Sequence, residues 1–204
     1  MINQIQKNLP KETSKTPSIS LKVENVVASV RLASYIELET LTSHFSDVEE
    51  KTNFPGLVIK IKKPKSTILL FRSGKVVITG TKSVKSIPLI VSKVRNRLIE
   101  LCIELDAEPK IRVENIVSSG SFHMPINLDL ISLTLERTIY EPEVFPGLIY
   151  KVEEPKVCFL IFSSGNIICT GAKNNKDIVT AVKDLAITLR DSGVLDDQES
   201  IEYI

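Results

Sequence analysis

Five short motifs occur twice along this chain, in the same order, and no other property restricts its fold so strongly. Val23-Glu24-Asn25-Val26-Val27 returns 90 positions later as Val113-Glu114-Asn115-Ile116-Val117. Phe54-Pro55-Gly56-Leu57 returns from Phe145, and Pro64-Lys65 returns at Pro155-Lys156. Phe71-x-Ser73-Gly74 returns at Phe162-x-Ser164-Gly165, and Thr79-Gly80-x-Lys82 at Thr170-Gly171-x-Lys173; these last four all recur 91 positions on. One inserted residue after the first motif accounts for the step from 90 to 91. Residues 20–109 and 110–194 therefore read as two copies of one unit. A polar tail over 1–19 and an acidic tail over 195–204 flank them, both expected to be poorly ordered.

Each copy carries the same sequence of patterns. An apolar, strand-like stretch (21–32; 111–122) precedes a short amphipathic helix (37–45; 128–136), in which Leu38, Leu41 and Phe45 fall at helical spacing. Three β-rich runs follow, over 57–62, 67–71 and 75–80 in the first copy and 148–152, 157–162 and 166–171 in the second. A longer helix closes each copy: 84–104, where Pro88 is tolerable only in the first turn, and 177–191, with Gly193 as its stop. Strands first and helices on one side predict an α+β fold, with one antiparallel sheet shared by the two copies and its other face open. Period-two reading puts Thr67, Leu69, Phe71, Val77 and Thr79 on one face, matched by Cys158, Leu160, Phe162, Ile168 and Thr170. An apolar face of that size is not left bare without a partner.

The charge distribution indicates what that partner is. From Lys51 to Ile99 there are twelve basic residues and no Asp or Glu, whereas Asp191 to Ile204 carries five acids and no base. A one-signed stretch on a folded surface suits a polyanion. The same composition excludes other classes. Only two histidines exist, His44 and His123, and no Gly-rich phosphate loop or nucleophile beside a base is present, so neither a metal site, nor a cofactor, nor an enzyme is expected. Cys102, Cys158 and Cys169 lack Cys-x-x-Cys spacing and read as buried free thiols of a reducing compartment. No segment reaches the roughly 18–20 apolar residues of a membrane span, and the polar start does not resemble a signal peptide. An intracellular protein is expected.

In order and spacing, the paired motifs resemble those of the TATA-box-binding protein family over roughly residues 20–194. The resemblance implies a saddle: a ten-stranded curved antiparallel sheet, four helices on the convex face, and double-stranded A·T-rich promoter DNA under the concave one. It assigns Phe54 with Phe71 and Phe145 with Phe162 as two pairs of wedges between base steps. Unstacking a step costs a few kcal/mol, a magnitude taken from minor-groove binders of this same family. Burying four rings at roughly 1.5–3 kcal/mol each offsets that cost. Asn25 and Asn115 would donate to base-edge acceptors at the pseudo-twofold centre, with Thr79 and Thr170 beside them. Val27, Val117, Leu69, Leu160, Val77 and Ile168 would form an apolar floor that leaves the guanine amine unpartnered and so favours A·T. Lys60, Lys65, Lys75 and Ser73 in one half, and Lys151, Lys156 and Ser164 in the other, would neutralise phosphates.

The chain departs from the family pattern at Asn166, where Lys is usual, at Arg72, where a small residue is, and at Glu24 and Glu114, where Gln is frequent. These departures bear on affinity and base preference. Glu141, Glu143 and Val144, just before Phe145, match the loop by which the family engages transcription factor B, and through it RNA polymerase. The first-half stretch 49–53 lacks that pattern. The motifs look more archaeal than eukaryotic, which implies a cytoplasmic, nucleoid-associated protein rather than a nuclear one. Two alternatives belong beside the general initiation factor: a specialised paralogue serving a subset of promoters, and a protein-interaction module on the same fold. A weak homodimer through the bare sheet is a further expectation for the DNA-free protein.

Overall fold

A computed structural model describes residues 19–195. The expected tails lie outside the described residues apart from Ile19 and Leu195, and both of these are buried in the core. The elements run β1 (Ser20–Arg31), α1 (Leu38–His44), β2 (Val48–Glu50), β3 (Gly56–Ile61), β4 (Ser66–Phe71), β5 (Lys75–Thr81), a 3-10 turn (Val84–Ser86) and α2 (Ile87–Glu100). The second copy gives β6 (Arg112–Ser121), α3 (Leu128–Thr134), β7 (Thr138–Ile139), β8 (Gly147–Val152), β9 (Val157–Phe162), β10 (Asn166–Ala172) and α4 (Asn175–Asp191).

All ten strands form one curved antiparallel sheet in the order β2-β3-β4-β5-β1-β6-β10-β9-β8-β7. The palindromic order places β1 against β6 at the centre, where Asn25 faces Val117 and Val27 faces Asn115. This exchange of equivalent residues is the pseudo-twofold axis. Strands β2 and β7 are edge strands of three and two residues, too short to show a period of their own.

The core lies on one side of the sheet only. Ile68, Leu70, Val76 and Ile78, like Phe159, Ile161, Ile167 and Cys169, are at most 1% exposed. They join Ile90, Val91, Val94 and Leu98 of α2 and Ala181, Val182, Leu185 and Leu189 of α4 in one cluster. In β4, β5, β9 and β10 the residues between them are half-buried or exposed, as alternation along a strand covered on one face requires.

The short helices are trimmed by a residue or two against the expectation, to 38–44 and 128–134, and the closing helices differ at three boundaries. The first closing helix stops at Glu100 rather than 104, because Cys102 takes φ 57° and the N–H groups of Cys102 and Ile103 return to Ile99 O and Leu98 O, which closes the last turn. Its first three residues form the 3-10 turn, so Pro88 lies in the first turn of the α-helix proper. The last helix begins two residues early, since Asn174 accepts from the Asp177 N–H at 2.9 Å and caps it. The inserted residue of the second copy can also be located. Helices α1 and α3 and strands β2 and β7 start 90 positions apart but β3 and β8 start 91 apart, so it lies in the loop between β7 and β8.

Candidate nucleic-acid interface

Register fixes which side chains share the open face. Gly56, Phe71 and the β3–β4 pairs Val58–Leu69 and Lys60–Thr67 align across strands with Val77 and Thr79. In the second half Gly147–Phe162, Ile149–Leu160 and Lys151–Cys158 align with Ile168 and Thr170. Val58, Ile149, Ser29 and Ser119 were missed in the sequence, although each pair recurs at the repeat offset and the period of β3 passes through Val58. Among the described residues no helix packs on this face.

Phe54 and Phe71 meet with ring centroids 5.5 Å apart and planes at 58°, and Phe145 and Phe162 at 5.9 Å and 65°. All four are half-buried, not sealed in the core as Phe122 and Phe159 are. The glycine of each Phe-Pro-Gly-Leu motif lies beneath its ring pair. A Cβ on Gly56 would fall 3.1 and 3.2 Å from the two rings and 2.5 Å from Leu70 O, and one on Gly147 would fall 2.8 and 3.0 Å from its rings. Proline after Phe and glycine after proline thus bring the first ring of each pair down onto the second.

At the centre, the two asparagines are held alike. Asn25 Oδ1 accepts from the Gly80 N–H at 2.8 Å and Nδ2 donates to Thr79 Oγ1 at 3.3 Å. Asn115 Oδ1 accepts from the Gly171 N–H at 2.7 Å and Nδ2 donates to Thr170 Oγ1 at 3.2 Å. Gly80 and Gly171, at φ 79° and 100°, sit at bulges in the β5 and β10 pairings, and the bulge turns their N–H toward the amide. A backbone N–H can only donate, so each amide is oriented with oxygen inward. The second Nδ2 hydrogen is left to point outward.

Two further bulges carry the acidic departures. Glu24 is the extra residue of β1 and Glu114 that of β6. Glu24 accepts from Lys82 Nζ at 2.6 Å, Lys22 Nζ at 3.1 Å and Ser119 Oγ at 3.0 Å. The lysine and serine bonds hold its carboxyl at about 2, well below the usual range. Glu114 takes Ser29 Oγ at 2.5 Å. Val27, Val117, Leu69, Leu160, Val77 and Ile168 are half-buried on the same face.

Of the expected phosphate ligands, Lys65, Lys75, Lys151, Lys156, Ser73 and Ser164 are exposed. Lys60 is exposed but paired with Glu49 at 2.9 Å, which lowers that carboxyl's pKa. Arg72 forms a two-pronged pair with Glu39 of α1 and is not directed at the open face. Glu141, Glu143 and Val144 lie in an exposed turn, closed by the Val144 and Phe145 N–H groups on Glu141 O at 2.9 Å each. Val144 is 79% exposed.

Comparison with known proteins matches the two halves separately. The family model described as "Transcription factor TFIID (or TATA-binding protein, TBP)" matches residues 20–101 and again 110–192. A TATA-box-binding protein of Pyrobaculum aerophilum is 40% identical over 193 residues, 94% of this chain and 96% of that one. That of Pyrococcus furiosus is 41% identical over 182 residues, 89% of this chain and 95% of that one. Among solved structures, Methanococcus jannaschii TBP superposes with a TM-score of 0.77 at 38% identity, covering 84% of this chain and 99% of that one. These relatives are archaeal, and their names describe transcription factors rather than enzymes.

Proposed function

The chain belongs to the TATA-binding protein family, and from that premise we propose that it is a general transcription initiation factor that binds the minor groove of an A·T-rich promoter element. The observation that carries this reading is the pair of ring clusters, Phe54–Phe71 and Phe145–Phe162, at symmetric positions on one uncovered apolar sheet face. Each pair enters a base step as a wedge and kinks the duplex toward the major groove. The half-buried Val, Leu and Ile between them cover the groove floor, where a guanine amine would lose its water without gaining a partner. Asn25 and Asn115 donate their free Nδ2 hydrogens to the N3 and O2 acceptors of the central pairs. Thr79 and Thr170 assist them. The exposed lysines and the turn serines Ser73 and Ser164 neutralise phosphates on either side.

The bent duplex then presents one face to transcription factor B, engaged through Glu141, Glu143 and Val144, and RNA polymerase is recruited through that factor. The residue inserted in the β7–β8 loop distinguishes this half from the other and supports docking on one side only. The test is a mobility-shift and fluorescence bending assay on a TATA-like duplex against a G·C-substituted control. Tight binding with a bend on the first, and a negative slope of log affinity against log salt for several neutralised phosphates, is the expected result. Equal affinity for both duplexes, or no salt dependence, would count against it.

A further inference from the structure

The two bulge glutamates are equivalent by the pseudo-twofold axis, yet their carboxylates are not in equivalent states. Glu24 is surrounded: Lys82, Lys22 and Ser119 occupy its oxygens, and two ammonium groups exceed its single charge. The residues at the matching positions around Glu114 are Arg112, Lys173 and Ser29. Only Ser29 engages it; among the described residues no ion pair reaches Glu114, which is exposed. Ser29 faces Val77 across β1 and β5, and Val77 faces Leu69, so the Glu114 carboxylate is anchored beside the floor residues of the first half and next to Asn115.

A duplex laid on this face removes water from that carboxylate. With the Ser29 hydroxyl on one oxygen only, burying the remaining lone pairs of the charged group without a donor is costly. The minor groove offers one donor, the exocyclic amine of guanine; adenine, thymine and cytosine present only acceptors there. Resting on the reading of this face as a minor-groove surface, we infer that Glu114 is a specificity-determining residue that accepts from a guanine amine, so that one half of the site admits a G·C pair where the other half rejects it. Glu24, already satisfied by its lysines, has no such preference. The consequence is a base preference that differs between the two halves of an otherwise symmetric surface.

Inosine isolates this contact, because an I·C pair differs from G·C only by the missing amine. The experiment places G·C and I·C in turn at each position of a bound A·T-rich duplex and measures the affinity ratio for the wild-type chain and for Glu114→Ala, Glu114→Gln and Glu24→Ala. Each ratio compares two duplexes on the same protein preparation, so partial misfolding of a variant does not enter it. At floor positions guanine should bind worse than inosine. At one position, or two adjacent ones in a single half, guanine should bind better, by roughly tenfold for a charge-assisted hydrogen bond. That preference should vanish in Glu114→Ala, weaken in Glu114→Gln and persist in Glu24→Ala. Guanine never exceeding inosine at any position, or a preference that survives Glu114→Ala, overturns the inference while the minor-groove reading stands. Failure to bind the parent duplex overturns both.

Discussion

Gly147 supports the Phe145 and Phe162 rings so closely that a methyl group at its Cα would fall 2.8 Å from one ring and 3.0 Å from the other. Gly147→Ala should therefore displace the wedge. A loss of roughly 1–3 kcal/mol of stability is expected from overpacking, together with a smaller DNA bend, read by thermal melting and by energy transfer across the duplex. A full bend at wild-type affinity would show that the ring pair need not rest on this glycine.

Removing the wedge itself separates function from folding. Phe145 and Phe162 are half-buried, whereas Phe159, one residue out of phase, is wholly enclosed. Phe145→Ala with Phe162→Ala should abolish bending and leave a cooperative melt. Phe159→Ala should cost roughly 3–5 kcal/mol as a cavity in the core. If the double variant unfolds as readily as Phe159→Ala, the four rings are core residues and the wedge assignment fails.

The lock on Asn25 makes an unusual ordering of variants. Asn25→Asp keeps the oxygen that accepts from the Gly80 N–H at 2.8 Å but replaces the outward donor by a charged acceptor. Folding should be preserved, and binding to an A·T centre should fall further than in Asn25→Ala, by more than the roughly tenfold of one lost base contact. Isothermal titration of the three proteins checks the order, and Asp binding better than Ala would remove the amide from the base-reading role.

Glu24 sets an acid limit. Its folded pKa, about 2, is depressed below the ordinary 4.5 chiefly by Lys82 and then by Lys22 and Ser119. A depressed carboxyl stabilises the fold at pH above its unfolded value and loses that contribution as pH falls toward the folded one. Wild type should therefore exceed Glu24→Gln in denaturant midpoint at pH 6, and the difference should shrink between about 4.5 and about 2. A difference that is flat across this window would mean the lysine pairs do not hold in solution.

The exposed turn at Val144 predicts a separable defect. Charge reversal by Glu143→Lys should weaken assembly of transcription factor B on the protein–DNA complex while leaving the mobility shift of the binary complex unchanged. Equal loss of both would place Glu143 in the DNA interface instead.

The internal repeat, read along the chain alone, determined that two copies of one unit share a sheet. Strand alternation sorted the residues of β4, β5, β9 and β10 into two faces, both apolar, so the duplication of Phe71 as Phe162, not a hydrophobic period, marked the open one. The Phe pairs and the Asn-Thr pairs were legible for the same reason, since duplication marks them whatever their contacts. What the sequence could not express was decided where strands meet. The bulges at Glu24, Glu114, Gly80 and Gly171 arise from register between β1, β5, β6 and β10, and they alone turn a glycine N–H onto each asparagine. Two Val-Glu-Asn motifs identical in these residues receive unlike partners, because Lys82 and Lys22 reach Glu24 while Ser29 alone reaches Glu114. A carboxylate's state depends on charges brought to it through space, and these lie as far as 58 positions away along the chain.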